Sequence, residues 1–461
     1  MNRRVAQVLI LVVAVGALAM VPLRAPARSP NVLIVVVDTL RADRLGAYGN
    51  VRGLTPFLDE LATRGTRFAN AYATSSWTCP SVASLLTSRY PSQHHVTSFE
   101  GQLGDAEVTL AETLQEHGYT AGGFSANFRL ADTHGYAQGF DHWRSYVTQN
   151  KTANKVRGDR LLRESGEWIA RTRSTTQAPM LVYLQYMEPH TPYMPPEPYL
   201  SRFIRQPDGA DATVARNKLI AEAPGEKALT APEIDLLTSL YDGEVAAADA
   251  QLRMLFEELE RSGFLHDAIV VVTADHGEEF GEHNQFLHGF TLYNTAIRVP
   301  LIITAPGLAA GRVVDDNVSL LDVAPTVLDL AKLPAATTFE GRSLVPLMTG
   351  EPAPPLHNPV LSELEPMHPD IDWRVHSRAL ISGNRKLVVK RNGRMSAFAL
   401  ARDPGEIRPY LVLPDDRFNR DLVQALQSMS EDLSKNAASE AQRQPIDEST
   451  KEKLRALGYQ P

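Results

Sequence analysis

Three unbroken apolar runs, each leading into polar residues, constrain the fold of this chain more than any other feature. Residues 31–37 (Asn-Val-Leu-Ile-Val-Val-Val) run into Asp38, and residues 268–273 (Ala-Ile-Val-Val-Val-Thr) run into Ala274-Asp275-His276-Gly277. Residues 180–186 run into Glu188-Pro189-His190. Runs rich in β-branched residues and without alternation suit parallel strands buried on both faces. Helix-period segments lie between them at 56–64, 81–87, 110–117 and 232–262. Alternating strand and helix predicts an α/β fold with a central, mostly parallel sheet, whose ligands gather outside the carboxyl ends of the strands.

A further strand at 299–304 and a helix at 320–330 close the large domain, predicted to span 30–365. The proline-rich segment 350–369 reads as a linker or excursion. Beyond it, 379–381, 386–390 and 395–400 read as short strands, with turns at Gly383-Asn384 and Asn392-Gly393. A helix at 421–434 completes a small α+β subdomain over 366–461, in which the polar stretch 436–444 is solvated and 454–459 docks back.

Composition narrows the partners. A net charge of −8, with both signs mixed along 461 residues, gives no footprint for a nucleic-acid backbone. Cys79 is the single cysteine, so neither a disulfide framework nor a cysteine cluster for zinc is available. At the start, Arg3 and Arg4 precede an apolar run from Val5 to Val15, and Ala17-Leu18-Ala19 offers the small-x-small pattern of a cleavage site. Residues 1–19 therefore read as a signal peptide, and the protein as exported, periplasmic or secreted. The alternative is an uncleaved anchor reaching Leu23, the one case in which the chain contacts a membrane.

Asp38, Asp275 and His276 supply two hard carboxylate oxygens and an imidazole at strand ends, a half-shell for one divalent cation such as Ca²⁺, Mg²⁺ or Mn²⁺. Taken singly, each is a weak signal, since a lone strand-end Asp is more often a helix cap or turn residue. The segment from Ser75 to Arg89 (Ser-Ser-Trp-Thr-Cys-Pro-Ser-Val-Ala-Ser-Leu-Leu-Thr-Ser-Arg) is the second feature. Pro80 early in a helix predicts Thr78 at the N-cap. There Thr78 is either a structural cap or a nucleophile whose alkoxide the positive helix end favours; by itself the segment favours the cap.

Read together with residues 30–38, 186–193, Asp275-His276-Gly277-Glu278, Arg298-Val299-Pro300-Leu301-Ile302 and Asp322-Val323-Ala324-Pro325-Thr326, this segment resembles the sulfatases of the alkaline phosphatase superfamily. The resemblance runs from about residue 30 to 350. It implies an alkaline phosphatase-like α/β sandwich and a metal site at Asp38, Asp275 and His276, with Thr78 also reaching the ion. It further implies His190 on the anionic ester group and His288, in Phe286-Leu287-His288-Gly289, on transition-state charge or the leaving group.

The departures from that family carry equal weight. Its maturation signature, C-x-P-x-R or S-x-P-x-R, begins with the residue oxidised to formylglycine; registered on Pro80, the signature positions are Thr78 and Val82. Threonine cannot become that aldehyde. A signature begun at Cys79 needs proline and arginine where Ser81 and Ala83 stand, so Cys79 reads as a buried bystander. Thr39 stands where a second aspartate is common, and 118–127 lacks the usual lysine and histidine. What remains is similar to a threonine-nucleophile branch that includes phosphoglycerol transferases and some phosphodiesterases. A formylglycine hydrate expels sulfate through its second hydroxyl, whereas a threonine ester must be displaced at phosphorus or sulfur, which favours phosphate esters or diesters.

The expected protein is thus a metal-dependent hydrolase of sulfuric or phosphoric esters, acting on a small-molecule, glycan or lipid-headgroup substrate. A transferase to an acceptor alcohol and a non-catalytic binding protein are the alternatives. Arg41 and Asp43 read as a mutual pair, His94-His95 as adjacent by chance, Asn127 as an ester contact, and Asp242 and Glu244 as solvated helix charges.

Overall fold

The run Asn31–Val37 becomes β1 at the middle of an eight-stranded sheet. Its companions are β2 (Thr66–Tyr72), β3 (Thr120–Ser125), β4 (His142–Ser145), β5 (Met180–Tyr186), β6 (Ala268–Thr273), β7 (Arg298–Thr304) and β8 (Arg312–Ser319). The spatial order is β8-β2-β7-β6-β1-β5-β3-β4. The computed structural model describes residues 29–146, 158–204, 211–221, 229–351, 359–367, 376–411 and 419–435, with 437, 442–443, 448 and 451–452 beyond. The expected signal segment, most of the polar stretch 436–444 and the terminal 454–459 lie outside the described residues.

β1 is parallel to both β5 and β6, and Val36 stands level with Gln185 on one side and Thr273 on the other. That common direction brings the carboxyl ends of β1, β5 and β6 to one edge of the sheet. The single strand running against the rest is β7, antiparallel to both β6 and β2. β1, β5 and β6 are buried over almost their whole length, as their unbroken apolar sequences require.

Helices cover both faces. Gly122 in β3 shows how closely: a Cβ there would lie 2.5 Å from the Trp168 ring of helix Gly158–Thr175. The long helix Ala231–Arg261 begins on a capping box, with Thr230 N–H donating to Glu233 Oε2 at 2.8 Å. Its Asp249 carboxylate accepts from Phe57 N at 3.0 Å and Leu58 N at 2.8 Å, capping helix Pro56–Arg64 from outside.

Asp242 and Glu244 are not solvated, as the sequence had suggested, but buried. Asp242 pairs with Arg44 (3.3 Å) and Arg52, and Glu244 Oε1 accepts from Met194 N at 2.6 Å. The expected linker at 350–369 also contains regular structure. Val360–Leu364 is an edge strand of a five-stranded antiparallel sheet, paired to Ser377–Ser382, which continues through Arg385–Lys390, Met395–Ala399 and Tyr410–Leu411. Its proline-rich flanks hid a strand that pairs with the next strand of the chain. The strand is also tied to the segment before Thr78, through Ser362 Oγ to Ala73 O (2.7 Å) and Glu363 N to Thr74 O (2.7 Å). Helix Arg420–Lys435 packs Leu422, Leu426 and Leu433 against Leu361, Leu380 and Leu387 of this sheet. Among the described residues, no helix is long and apolar enough to cross a membrane.

Candidate active site

Helix Thr78–Thr87 is buried along its whole length and points its first turn at the carboxyl edge of β1 and β6. Trp77, in extended conformation, is the N-cap, and Thr78 is the first helical residue. The expectation of Thr78 as the cap is therefore out by one position. The reason is that Pro80, lacking an N–H, is tolerated anywhere among the first four helical residues, whose N–H groups have no intrahelical acceptor. The consequence is chemical: Thr78 Oγ1 is not spent on a cap. It lies 3.3 Å from His276 Nε2 and accepts from Asn127 Nδ2 at 3.4 Å.

Asp38 follows β1 directly, and Asp275 lies two residues beyond β6, so the parallel pairing places them side by side. His276 Nε2 is 3.7 Å from Asp38 Oδ1 and 3.7 Å from Asp275 Oδ2. Asp275 Oδ1 accepts from Thr39 N (3.3 Å) and His276 N (3.0 Å), and His276 Nδ1 faces Gly277 O at 2.9 Å, which directs Nε2 to the carboxylates. Asp38 Oδ2 accepts from Asn127 Nδ2 at 2.8 Å and from Gln185 Nε2 at 3.4 Å. The same Gln185 amide donates to Asp275 Oδ2 at 3.1 Å, and Tyr183 OH holds its oxygen at 2.7 Å.

Burial pushes the Asp38 carboxyl up to about 8, reinforced by Asp275 nearby. Burial likewise pushes Asp275 up to about 7, against the pull of the Thr39 and His276 amides. His276 is held below its ordinary value by burial, hence neutral and able to ligate. Two buried carboxylates side by side call for a cation. One ligand atom from each of Asp38, Asp275 and His276 lies within 4.8 Å of the others, and Asp38 Oδ1 is buried without any hydrogen-bond partner. Two hard oxygens and one imidazole at this spacing fit a divalent ion about 2.0–2.6 Å from each donor. The three residues form a candidate metal site.

The two other expected histidines reach the same place. His288 follows the short hairpin formed by Glu279–Phe280 and Phe286–Leu287, and its ring lies 4.4 Å from that of His276 and 4.9 Å from that of His190. Its Nδ1 is 2.9 Å from Glu278 Oε1, while Tyr193 OH donates to Glu278 Oε2 at 2.9 Å. Burial, with His276 beside it, holds His288 well below the usual histidine range, and burial pushes Glu278 up to about 8. His190 is fully buried, its Nδ1 fixed on Thr191 O at 2.6 Å.

All six predicted residues thus converge. Cys79 is buried, its thiol pushed up by burial, and its carbonyl accepts from Tyr136 OH at 2.8 Å. Arg41 pairs with Asp43 as expected, at 2.7 Å, but also with Glu282 at 2.5 Å and with Glu278 O at 3.0 Å. His94 sits on Ser84 Oγ at 3.0 Å and takes no part in the site. Asn127 touches Asp38 and Thr78. Sequence reasoning missed Gln185 and Glu278; an amide inside the otherwise apolar run Met-Leu-Val-Tyr-Leu-Gln-Tyr was the available signal for the first.

Known proteins resemble this chain over most of its length. A family model described as Sulfatase matches residues 30–333, and one described as N-sulphoglucosamine sulphohydrolase, C-terminal, matches residues 281–434. Human arylsulfatase K is 27% identical over 367 residues, covering 70% of this chain and 67% of its own length. An arylsulfatase of Clostridium perfringens is 26% identical over 386 residues, covering 69% of this chain and 78% of its own. Among solved structures, a phosphonate monoester hydrolase from Silicibacter pomeroyi superposes with a TM-score of 0.71 at 23% identity, over 89% of this chain and 96% of its own.

Proposed function

We propose that this chain, which belongs to the sulfatase family, cleaves an ester-linked anionic group with Thr78 as nucleophile and prefers phosphate esters or diesters to sulfate esters. It is a hydrolase of sulfuric or phosphoric ester bonds. The observation that carries the finer reading is the freedom of Thr78 Oγ1 from capping, 3.3 Å from His276 Nε2 and beside two buried aspartates.

A divalent ion held by Asp38, Asp275 and His276 would supply positive charge that lowers the pKa of a neighbouring hydroxyl and neutralises the ester oxygens. The rest falls to the chain. Asn127 Nδ2 orients Thr78 Oγ1 and Asp38 together. Thr78 Oγ1 loses its proton to solvent water and bonds to phosphorus as the bond to the leaving oxygen breaks. Neutral His288 passes its Nε2 proton to that oxygen as Glu278, held protonated by burial, gives its own to Nδ1, and His190 holds a non-bridging oxygen. Water then attacks the phosphothreonine, and the threonine oxygen leaves with a proton. A sulfated threonine lacks the internal exit of a formylglycine hydrate, which is why phosphorus is preferred. Small-molecule, glycan and lipid-headgroup esters all suit such a site, and the N-terminal segment supports export.

The test uses purified protein with Mg²⁺, Mn²⁺ or Ca²⁺ on an aryl phosphodiester and an aryl sulfate. The phosphodiester should turn over faster, Thr78→Ala should abolish both activities, and Cys79→Ala should retain them. Faster sulfate cleavage would remove the phosphoryl preference, and equal loss in both variants would remove the Thr78 assignment.

A further inference from the structure

Four cations are buried among the described residues: Arg41, Arg89, Arg129 and Lys386. Three are matched by carboxylates. Arg41 has Asp43 and Glu282, Arg89 has Glu107 at 3.0 Å, and Lys386 has Glu406 at 2.7 Å. Arg129, only 3% exposed, has none. Its Nη2 donates to Phe99 O, its guanidinium lies 5.8 Å from the Phe99 ring centre and is hydrogen-bonded with the Cys79 thiol, and Nε and Nη1 are buried without an oxygen or nitrogen acceptor. A guanidinium withdrawn from water with only a carbonyl and a weakly accepting thiol beside it is unfavourable unless an anion completes it.

The place of this unmatched cation is informative. It lies beside the Cys79 side chain, one residue past Thr78, where its charge opposes the rise that burial imposes on the thiol. Its own backbone N–H donates to Asn127 Oδ1 at 3.0 Å, and Asn127 Nδ2 reaches both Asp38 and Thr78. The segment leading into the helix repeats the pattern: Thr74 Oγ1, Ser75 Oγ, Ser76 Oγ and Trp77 Nε1 are all buried without partners. Val82 is apolar and the helix Thr78–Thr87 carries no basic residue, so it contributes no side-chain cation of its own. Unsatisfied donors on two separate stretches of chain thus flank the start of the one helix that carries Thr78.

We propose that Arg129 is a substrate-binding residue, its Nε and Nη1 donating to non-bridging oxygens of the ester group beside Thr78, with hydroxyls of the 74–76 segment as accompanying donors. This rests on the reading of Thr78 as nucleophile, and it deepens it: the substrate group is a tetrahedral oxyanion, and its recognition depends on a planar, two-pronged donor. A merely structural arginine, present to hold the Phe99 carbonyl, would make a different set of predictions.

The probe is inorganic phosphate, with sulfate alongside, added to the Mg²⁺-loaded Thr78→Ala protein, which binds without turnover. Calorimetry should show phosphate binding weakened roughly 10- to 100-fold by Arg129→Gln, the worth of one or two charge-assisted hydrogen bonds, and less by Arg129→Lys. In the Arg129-intact protein, the Arg129 Nε–H resonance, assigned by its loss in Arg129→Lys, should move as phosphate saturates. That measurement remains decisive if Arg129→Gln does not fold. Unchanged affinity in Arg129→Lys together with an unmoved resonance, or no phosphate binding to the intact protein, overturns the proposal. Failure of the wild-type protein to cleave either ester, with phosphate still shifting Arg129, would instead overturn the catalytic reading alone.

Discussion

Chelation of the metal should destabilise the protein by an amount that grows with pH, and the sign follows from Asp38 and Asp275. Without a cation, burial holds Asp38 near 8 and Asp275 near 7, whereas both ionise near 4 in the unfolded chain. A carboxyl whose folded pKa is raised contributes stability that is complete below the unfolded pKa and is lost as pH rises through the folded pKa. Between pH 5 and 7 the metal-free folded state therefore keeps up to two protons that the unfolded chain has released. Stability then falls by up to about 2.7 kcal/mol per pH unit, at about 1.4 kcal/mol per proton. With the ion bound, both carboxylates are ionised in folded and unfolded states alike, and this slope disappears. His276 is held below its ordinary value by burial, which favours the same neutral form that an ion would bind. The gap in melting temperature between metal-loaded and EDTA-treated protein should accordingly widen from pH 5 to 8 and then level off. Other titrating groups cancel in that difference. Calorimetry at pH 6, repeated in buffers of different ionisation enthalpy, should show protons released on binding. A gap independent of pH over this range, or one that survives the double change Asp38→Asn and Asp275→Asn, would falsify the assignment of these residues as ligands.

Three further outcomes are expected. Gln185→Leu removes the amide that donates to both aspartates, and metal affinity measured by calorimetry should weaken about 10- to 100-fold while the fold persists. Lys386→Met leaves Glu406 buried and unpaired and should cost about 3–5 kcal/mol in urea unfolding, with much of it recovered when Glu406→Leu is added; equal losses in single and double variants would contradict the pairing. Gly122→Val forces a side chain into the Trp168 ring and should cost about 1–3 kcal/mol in the same assay.

What could be read from sequence here follows the range over which each interaction acts. β1, β5 and β6 are buried on both faces, so their identity is written in consecutive residues, and the polar groups at their ends inherit the same legibility. Asp242 and Glu244 look like ordinary helix charges because their partners, Arg44, Arg52 and Met194, lie from about fifty to two hundred residues away in the chain. Val360–Leu364 shares that reason in part: its ladder goes to the next strand, Ser377–Ser382, but its outer contacts go to Ala73 and Thr74, far back in the chain. Gln185 was hidden differently, since nothing local says that one amide in an apolar strand spans two carboxylates from two other strands.

Thr78 shows that an error of one residue can change chemistry. A threonine at the N-cap turns its hydroxyl to the N–H of the second or third helical residue, and an oxygen so engaged is a poorer nucleophile. Moved to the first helical position, the same hydroxyl has no such acceptor role, and the nearest groups become His276 and Asn127. Trp77, an N-cap without a capping side chain, leaves the first N–H groups of the helix to be satisfied by something else. With the hydroxyls of 74–76 and Arg129 Nε and Nη1 buried without an oxygen or nitrogen partner, the demand at this end of the helix is for oxygen atoms carrying negative charge. Sequence registration on the family pattern located the residue, and the helix boundary leaves its oxygen free of a cap, as the proposed role requires.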